Sequence, residues 1–404
     1  MWTGTPKSSM AIVTSQAFSL YNFRDQLIRA LVDQGIKVYA LAPDYDSGSR
    51  AAVRALGAEP VGISLDRTGM RPLRDLVDML RLVHVLRRFK PEAIFAYFIK
   101  PVTYGCLAAW LAGVPRRYAL VPGLGYVFTE DGASPGWRRR LVQRIASLLY
   151  RAAFCACQRV FFQNDEDAAH FVANGSLPAE KVVRVNGTGV DLGHFAFVPP
   201  VWQPVTFLLM GRLLRQKGIC EYVDAARRVK RNHPESRFIL LGGLDPNPAS
   251  LTCPEIEAWV HEGVIEWPGV VDDVRPWIAQ ASVYVLPSYR EGVPRSTQEA
   301  MAMGRPVITT DSVGCRETVI DGVNGFLVPV RDADALAAAM LRFIENPALI
   351  ERMGRESRRL AEARFDVHRI NAVMLEAMGL GTQGEVGQAS ARGTLSRNQE
   401  GVGG

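Results

Sequence analysis

Two α/β domains in tandem, each a parallel sheet wrapped by helices and together facing a central cleft, are what this sequence predicts. Three observations carry the prediction. The chain has 404 residues, 48% of them hydrophobic, which is more than one core can organise, because single cores stop growing at roughly 250–300 residues. Short apolar runs alternate with amphipathic helical runs in two successive series, the pattern of strands wound with helices. Between the series, GHFAFVPPVWQP at 193–204 interrupts the alternation with three prolines, which lack the amide that a helix or an inner strand needs.

The first series opens with the strand AIVTS, a helix over 21–34 closed by Gly35, and the strand IKVYALAP. A helix over 72–90 follows, with Leu73, Leu76, Val77, Leu80, Val83 and Leu86 at helical spacing, then the strands AIFAYF (93–98) and VVRV (182–185). The second series reads as a strand at 205–210, a helix at 217–232, the strand RFILLGG, a helix near 254–262, the strand SVYVLP, a helix at 296–303, the strand PVITT, and helices at 333–345 and 347–362. The boundaries are therefore a first domain at 1–195, a second at 205–363, and a C-terminal helix at 364–379 placed to cross back to the first. Residues 380–404, rich in Gly, Ser and Gln, cannot offset their ordering entropy by burial and read as a disordered tail. Ligands of open α/β sheets sit beyond the carboxyl ends of the strands, so the cleft is the expected active site.

Composition narrows the partners. No run of 18 apolar residues occurs, and residues 1–10 lack the apolar stretch and cleavage site of an export signal, so a cytoplasmic location is expected. Cys106, Cys155, Cys157, Cys220, Cys253 and Cys315 show no paired metal-ligand spacing and read as reduced packing residues. The net charge of +6 conceals an asymmetry: residues 1–198 hold 24 Lys and Arg against 16 Asp and Glu, and the remainder 23 against 25. A basic first half points to an anionic partner, whether a membrane surface, a phosphate-bearing acceptor or a nucleic acid. Nucleic acid fits least, because the basic residues are not interleaved with stacking aromatics. The six histidines are scattered, and no D-x-D lies in a loop suited to a divalent cation, so neither a metal nor another cofactor is expected.

The strongest chemical signal begins at Pro287, in PSYREGVPRSTQEAMAMGRPVI. A strand ends, a Gly- and Pro-containing loop carries Glu291, and a helix opening near Ser296 carries Glu299. Loop amides and a helix N-terminus favour an anion such as a phosphate, and two carboxylates beside it can accept hydrogen bonds from sugar hydroxyls. A lone pair of carboxylates eight positions apart would read as solvated surface charge; the loop around them decides otherwise. GRLLRQKG at 211–218 is the second signal. Arg212 and Lys217 follow a strand directly, where an Arg fork and a Lys point charge can neutralise a diphosphate. Gly211 permits close approach of the backbone and Gly218 the turn into the helix.

These residues, with NGTGVDLGHF (186–195), ILLGG (239–243), WPGVVDDV (267–274) and DGVNGFLV (321–328), make the second half resemble the retaining glycosyltransferases of family 4. That resemblance implies the GT-B fold, two Rossmann-like α/β domains facing a central cleft. It further implies that Arg212 and Lys217 bind the diphosphate of a nucleotide sugar, that Glu291 contacts the donor sugar, and that Glu299 holds the ribose hydroxyls. Gly292, Val293 and Pro294 would add backbone contacts, and Val271 would hold the base edge. SLYNFRDQLIRAL (19–31), YALAPDYD (39–46), RTGMRPL (67–73), YFIKPVTYG (97–105) and GLGYVF (123–128) make the first half similar to transferases acting on undecaprenyl-diphosphate-linked sugars in O-antigen, capsule and N-glycan precursor assembly, among them N-acetylgalactosaminyltransferases. This chain departs from many of those relatives in lacking a Gly-Gly pair in its first loop and a His within GLGYVF, which assigns the acceptor side to Lys100 or Tyr126. The function implied is transfer of a hexose or N-acetylhexosamine, GalNAc foremost, from a UDP-sugar to a lipid-linked sugar acceptor. A UDP-sugar 2-epimerase-like enzyme and a nonenzymatic nucleotide-sugar-binding membrane partner are the alternatives.

Residues 134–162 read as a helix to about 157 followed by a strand. Leu141, Ile145, Leu148 and Leu149 recur at helical spacing, with Arg138, Arg139, Arg140, Arg144 and Arg151 supplying charge and Trp137 at the start. An ordinary domain helix would bury that stripe; the density of arginine instead suits an interfacial helix on anionic lipid. Peripheral attachment to the inner face of the cytoplasmic membrane is the expectation.

Overall fold

The computed structural model describes residues 8–65, 72–124, 137–245, 247 and 250–381, with backbone alone at 137–141. Its first half runs β1 (Ser9–Val13), α1 (Phe18–Phe23), α2 (Asp25–Asp33), β2 (Lys37–Ala42), α3 (Ser47–Ala55), β3 (Glu59–Gly62) and α4 (Pro72–Phe89). It continues with β4 (Ala93–Tyr97), α5 (Cys106–Ala112), β5 (Arg116–Val121), α6 (Trp137–Ala156), β6 (Arg159–Phe162), α7 (Asp165–Ala173) and β7 (Val182–Arg184). The second half holds β8 (Thr206–Met210), α8 (Ile219–Lys230), β9 (Arg237–Leu241), α9 (Cys253–His261), β10 (Glu266–Gly269), α10 (Arg275–Gln280) and β11 (Val283–Leu286). After these come α11 (Arg295–Ala302), β12 (Val307–Thr310), β13 (Gly325–Val328), α12 (Ala333–Glu345), α13 (Ala348–Arg364) and α14 (Val367–Ala377).

The strands form two sheets, ordered β3-β2-β1-β4-β5-β6-β7 and β10-β9-β8-β11-β12-β13. Neighbouring strands are parallel throughout. Helices cover both faces, so the inner strands are apolar at successive positions rather than alternate ones; Phe207, Leu208 and Leu209 of β8 are all fully buried. Each sheet reverses its winding once, between β1 and β4 and between β8 and β11. Those reversals open the crevice in which such sheets hold ligands.

Three local departures from the sequence reading have physical causes. The helix expected over 21–34 is two helices, broken at Arg24 (φ −129°), whose buried guanidinium lies over the rings of Phe95 and Tyr97 at 5.7 and 5.2 Å. On α4 the apolar stripe divides: Leu82, Val83 and Leu86 are buried, whereas Leu73, Leu76, Val77 and Leu80 are exposed. The inward face of that first half instead presents Asp75 and Asp78, held by Lys100 Nζ at 2.7 Å and Ser64 Oγ at 2.6 Å. On α6, Ile145 and Leu148 are likewise exposed, while Tyr150, Ala153 and Phe154 fill the core. Residues 1–7, Tyr126 and the expected tail from 382 onward lie outside the described residues.

Helix α14 follows the second sheet in sequence and packs on the first. Ile370, Met374, Leu375 and Met378 join the core of Met10, Ile12, Leu27 and Phe95, and Tyr118 Oη donates to Met378 O at 2.7 Å. Val190 pairs with the strap just ahead of α14, its amide donating to Phe365 O at 2.8 Å and its carbonyl accepting from Val367 N at 3.2 Å. Since Met374 is fully buried, Met374→Ala is expected to cost about 2–5 kcal/mol. Thermal denaturation should show a lowered midpoint; an unchanged midpoint would contradict the packing.

Candidate active site

Between the two sheets lies a cavity of about 370 Å³. Its wall is made by segments that leave the carboxyl ends of strands at and beside the two reversals: Ser15 and Gln16 after β1, Phe98, Ile99 and Lys100 after β4, and Pro122, Gly123 and Leu124 after β5. Arg212, Gln216 and Lys217 after β8, with Arg290, Glu291 and Gly292 after β11, complete it from the second sheet. Phe98 holds a positive φ of 75°, a conformation that side chains tolerate only where the surroundings impose it and that clusters at functional sites.

Close backbone approach sets the position of the two chemical loops. Gly218 has φ +72°, and a Cβ there would stand 2.0 Å from Pro287 O, so the segment carrying Lys217 lies directly against the one carrying Glu291. Lys217 Nζ meets Glu291 Oε1 at 2.5 Å; Ser288 Oγ donates to the same oxygen at 2.7 Å. Both charged side chains are more than four-fifths buried, with exposures of 18% and 15%, so salt screens the pair far less than a surface pair. Arg212 is bound to Asp245 at 2.9 Å, and Arg295 to Glu299 at 2.9 Å. Burial pushes the Glu299 carboxyl above the ordinary glutamate range, with Arg295 pulling it back.

Helix α11 starts at the loop's end with Pro294 at its N-cap, no side-chain cap and no acidic residue in its first turn. Its first amides therefore lack helical partners and its dipole favours an anion. The Val293 amide donates to Gln163 Oε1 at 3.1 Å, and Pro294, being proline, has no amide to donate. Val293 is buried and Val271 half-buried against the core of the second sheet; neither Val271, Glu299 nor Pro294 lines the cavity. Gly211 precedes Arg212 at the end of β8, its amide bonded to Leu241 O.

On the opposite wall, Lys100 is held by buried Asp75. Arg144 is exposed on α6, away from the cavity. The side chains of Arg138, Arg139 and Arg140 fall outside the described residues, as does Tyr126. Among the described residues no group of three His, Cys, Asp or Glu could hold a metal ion, and the six cysteines are free. Of the three D-x-D pairs in the sequence, Asp44 and Asp46 accept from the Ala17 amide at 2.6 Å and cap α3 through the Ser49 amide at 2.7 Å.

Several contributors escaped the sequence reading. Gln163, Asn164 and Asp167, from the first half, reach the loop at 290–293, and Arg290 and Arg295 flank it. Asn164 followed by three acidic residues signals a helix start, but not that this start faces the other domain.

Similar proteins identify the family of the chain. Residues 23–187 match the family model described as glycosyl transferase 4-like domain, and residues 204–346 the model described as glycosyl transferases group 1. The chain is 28% identical over 344 residues to the N,N'-diacetylbacillosaminyl-diphospho-undecaprenol alpha-1,3-N-acetylgalactosaminyltransferase of Campylobacter jejuni, covering 82% of this chain and 88% of that protein. It is 35% identical over 176 residues to the putative colanic acid biosynthesis glycosyltransferase WcaL of Salmonella typhimurium, covering 41% and 43% of the two. In fold it is similar to the sucrose-phosphate synthase of Thermosynechococcus elongatus, with a TM-score of 0.72, 20% identity and coverage of 92% and 98%. Anabaena HepE in complex with UDP-glucose is similar with a TM-score of 0.70, 17% identity and coverage of 92% and 99%. With both halves matched to glycosyltransferase models and both sheets meeting at one charged cleft, the chain belongs to the glycosyltransferases of GT-B fold related to family 4.

Proposed function

We propose that this enzyme moves a hexose or N-acetylhexosamine, with N-acetylgalactosamine the first candidate, from a UDP-sugar to a sugar carried on undecaprenyl diphosphate. One observation carries the reading. Arg212, Lys217 and Glu291 from the second sheet share a single cavity with Lys100 from the first, so a diphosphate donor and an anionic acceptor each meet a cation. Similarity to the Campylobacter transferase across 82% of this chain supports the acceptor class and the sugar. The donor class is supported by the likeness to HepE in its complex with UDP-glucose.

The donor's diphosphate competes with Glu291 for Lys217 and with Asp245 for Arg212. Both cations then stabilise the charge that builds on the departing diphosphate, the kind of electrostatic contribution that usually dominates enzymatic rate enhancement. The open N-terminus of α11 and the Gly292 amide add donors. Glu291, released from Lys217, accepts hydrogen bonds from the donor sugar; Glu299 takes the ribose hydroxyls and Val271 the base edge. Same-face attack by the acceptor hydroxyl, with the leaving phosphate taking its proton, retains the anomeric configuration without a protein nucleophile.

A membrane supplies the acceptor. No described helix is long and apolar enough to cross one, and the reading is peripheral attachment to the cytoplasmic face. Leu73, Leu76, Val77 and Leu80 of α4, and Ile145 and Leu148 of α6, are exposed apolar side chains, and Arg144 of α6 is exposed too. Apolar burial and basic residues, each of the latter contributing on the order of 1 kcal/mol near anionic lipid, act together at such a surface.

Two measurements test the reading. Mass spectrometry of reactions pairing undecaprenyl-diphosphate sugars with UDP-GalNAc, UDP-GlcNAc, UDP-Gal and UDP-Glc should find a disaccharide product, and Lys217→Ala should abolish it while the circular dichroism stays native. Product formation by that variant at near-normal rate would remove Lys217 from the chemistry. In sedimentation with anionic vesicles, joint replacement of Arg138, Arg139 and Arg140 by Ser should release the protein; undiminished pelleting would sink the membrane role of α6.

A further inference from the structure

The loop that carries Glu291 is gripped by the other domain. Arg290 Nη2 is paired with Asp167 Oδ1, and the Asp167 side chain is 1% exposed. Its second oxygen accepts from Asn164 Nδ2 at 3.0 Å. Asn164 also donates to Gly292 O at 3.2 Å, and Gln163 takes the Val293 amide. Asn164 is itself fixed as the cap of α7, accepting from the Asp167 amide at 2.8 Å. Contact is close enough that a Cβ on Gly292 would lie 1.5 Å from Pro122 O.

These contacts differ in weight. Arg316 also reaches α7, at Glu166 (2.9 Å), but both partners are about 40% exposed, and exposed pairs contribute little. Asp167 is the one buried away from water, with Arg290 and Asn164 as its side-chain partners. A buried carboxylate in the first domain thus fixes the residue next to Glu291 in the second.

We propose that Asp167 is a positioning residue for transfer: acting through Arg290, it holds the 290–293 loop so that Glu291 and Gly292 address the donor sugar only when the first domain is engaged. The proposal rests on the transferase reading above. Arg212 and Lys217 lie on a different loop, so donor anchoring by its diphosphate and alignment of its sugar are separable.

The test compares wild type with Asp167→Asn and Arg290→Lys, the second keeping a cation but not the planar fork. Asp167→Asn should lower kcat for transfer at least tenfold while the Kd for UDP, measured by calorimetry, stays within threefold. Arg290→Lys should retain a larger share of kcat. Hydrogen exchange of peptides spanning 288–294 should quicken at least tenfold in Asp167→Asn, with the sheet cores unchanged. A kcat within twofold of wild type with unaltered loop exchange would overturn the proposal. So would exchange quickening evenly through the chain with loss of UDP binding, which marks a merely structural role. If wild type transferred no sugar, the functional reading would fall while loop exchange still decided whether Asp167 grips the loop.

Discussion

One electrostatic constraint governs the cleft: charges gathered between two packed sheets need partners of opposite sign. This chain meets the constraint with ion pairs. Lys217 rests on Glu291, Arg212 on Asp245 and Arg295 on Glu299, each cation opposite a carboxylate rather than opposite another cation. Desolvating a lone charge costs several kcal/mol, and Lys217 and Glu291, both more than four-fifths buried, offset that cost for each other. In the proposed reaction Glu291, once released from Lys217, becomes an acceptor for hydroxyls of the donor sugar.

The fold makes that pairing geometric. Parallel sheets that reverse their winding at β1/β4 and β8/β11 send the connecting loops outward at the same edge, and the two edges face each other across the cavity. Close contacts then remove slack: Gly218 against Pro287, Gly292 against Pro122. Helix α14 returns to the first sheet and buries Met374 there, so the end of the described chain ties the halves together on the side where the strap at Phe365 pairs with Val190.

Much of this was legible in the residues. Continuous apolar strands, the proline break before β8, and the Gly- and Pro-containing loop ahead of α11 are local signals, each written within a few neighbouring positions. What escaped was relational. Helix α4 carries leucines at helical spacing, but spacing alone does not say which face turns inward, and here Asp75 takes the inner side because Lys100 waits there. Arg290 stood in plain view beside Glu291, yet its partner Asp167 is 123 positions away. The break at Arg24 has the same origin, since the rings that receive its guanidinium belong to β4. Interactions between distant segments leave no periodicity to read.

In the proposed reaction Glu291 and the donor diphosphate compete for Lys217. Calorimetric titration of UDP, which carries the diphosphate without the sugar, into wild type and Glu291→Gln tests it directly. Tighter UDP binding by Glu291→Gln is expected, because Lys217 is freed and a negative charge is removed from the cavity. Weaker UDP binding by that variant, with its fold intact, would contradict it.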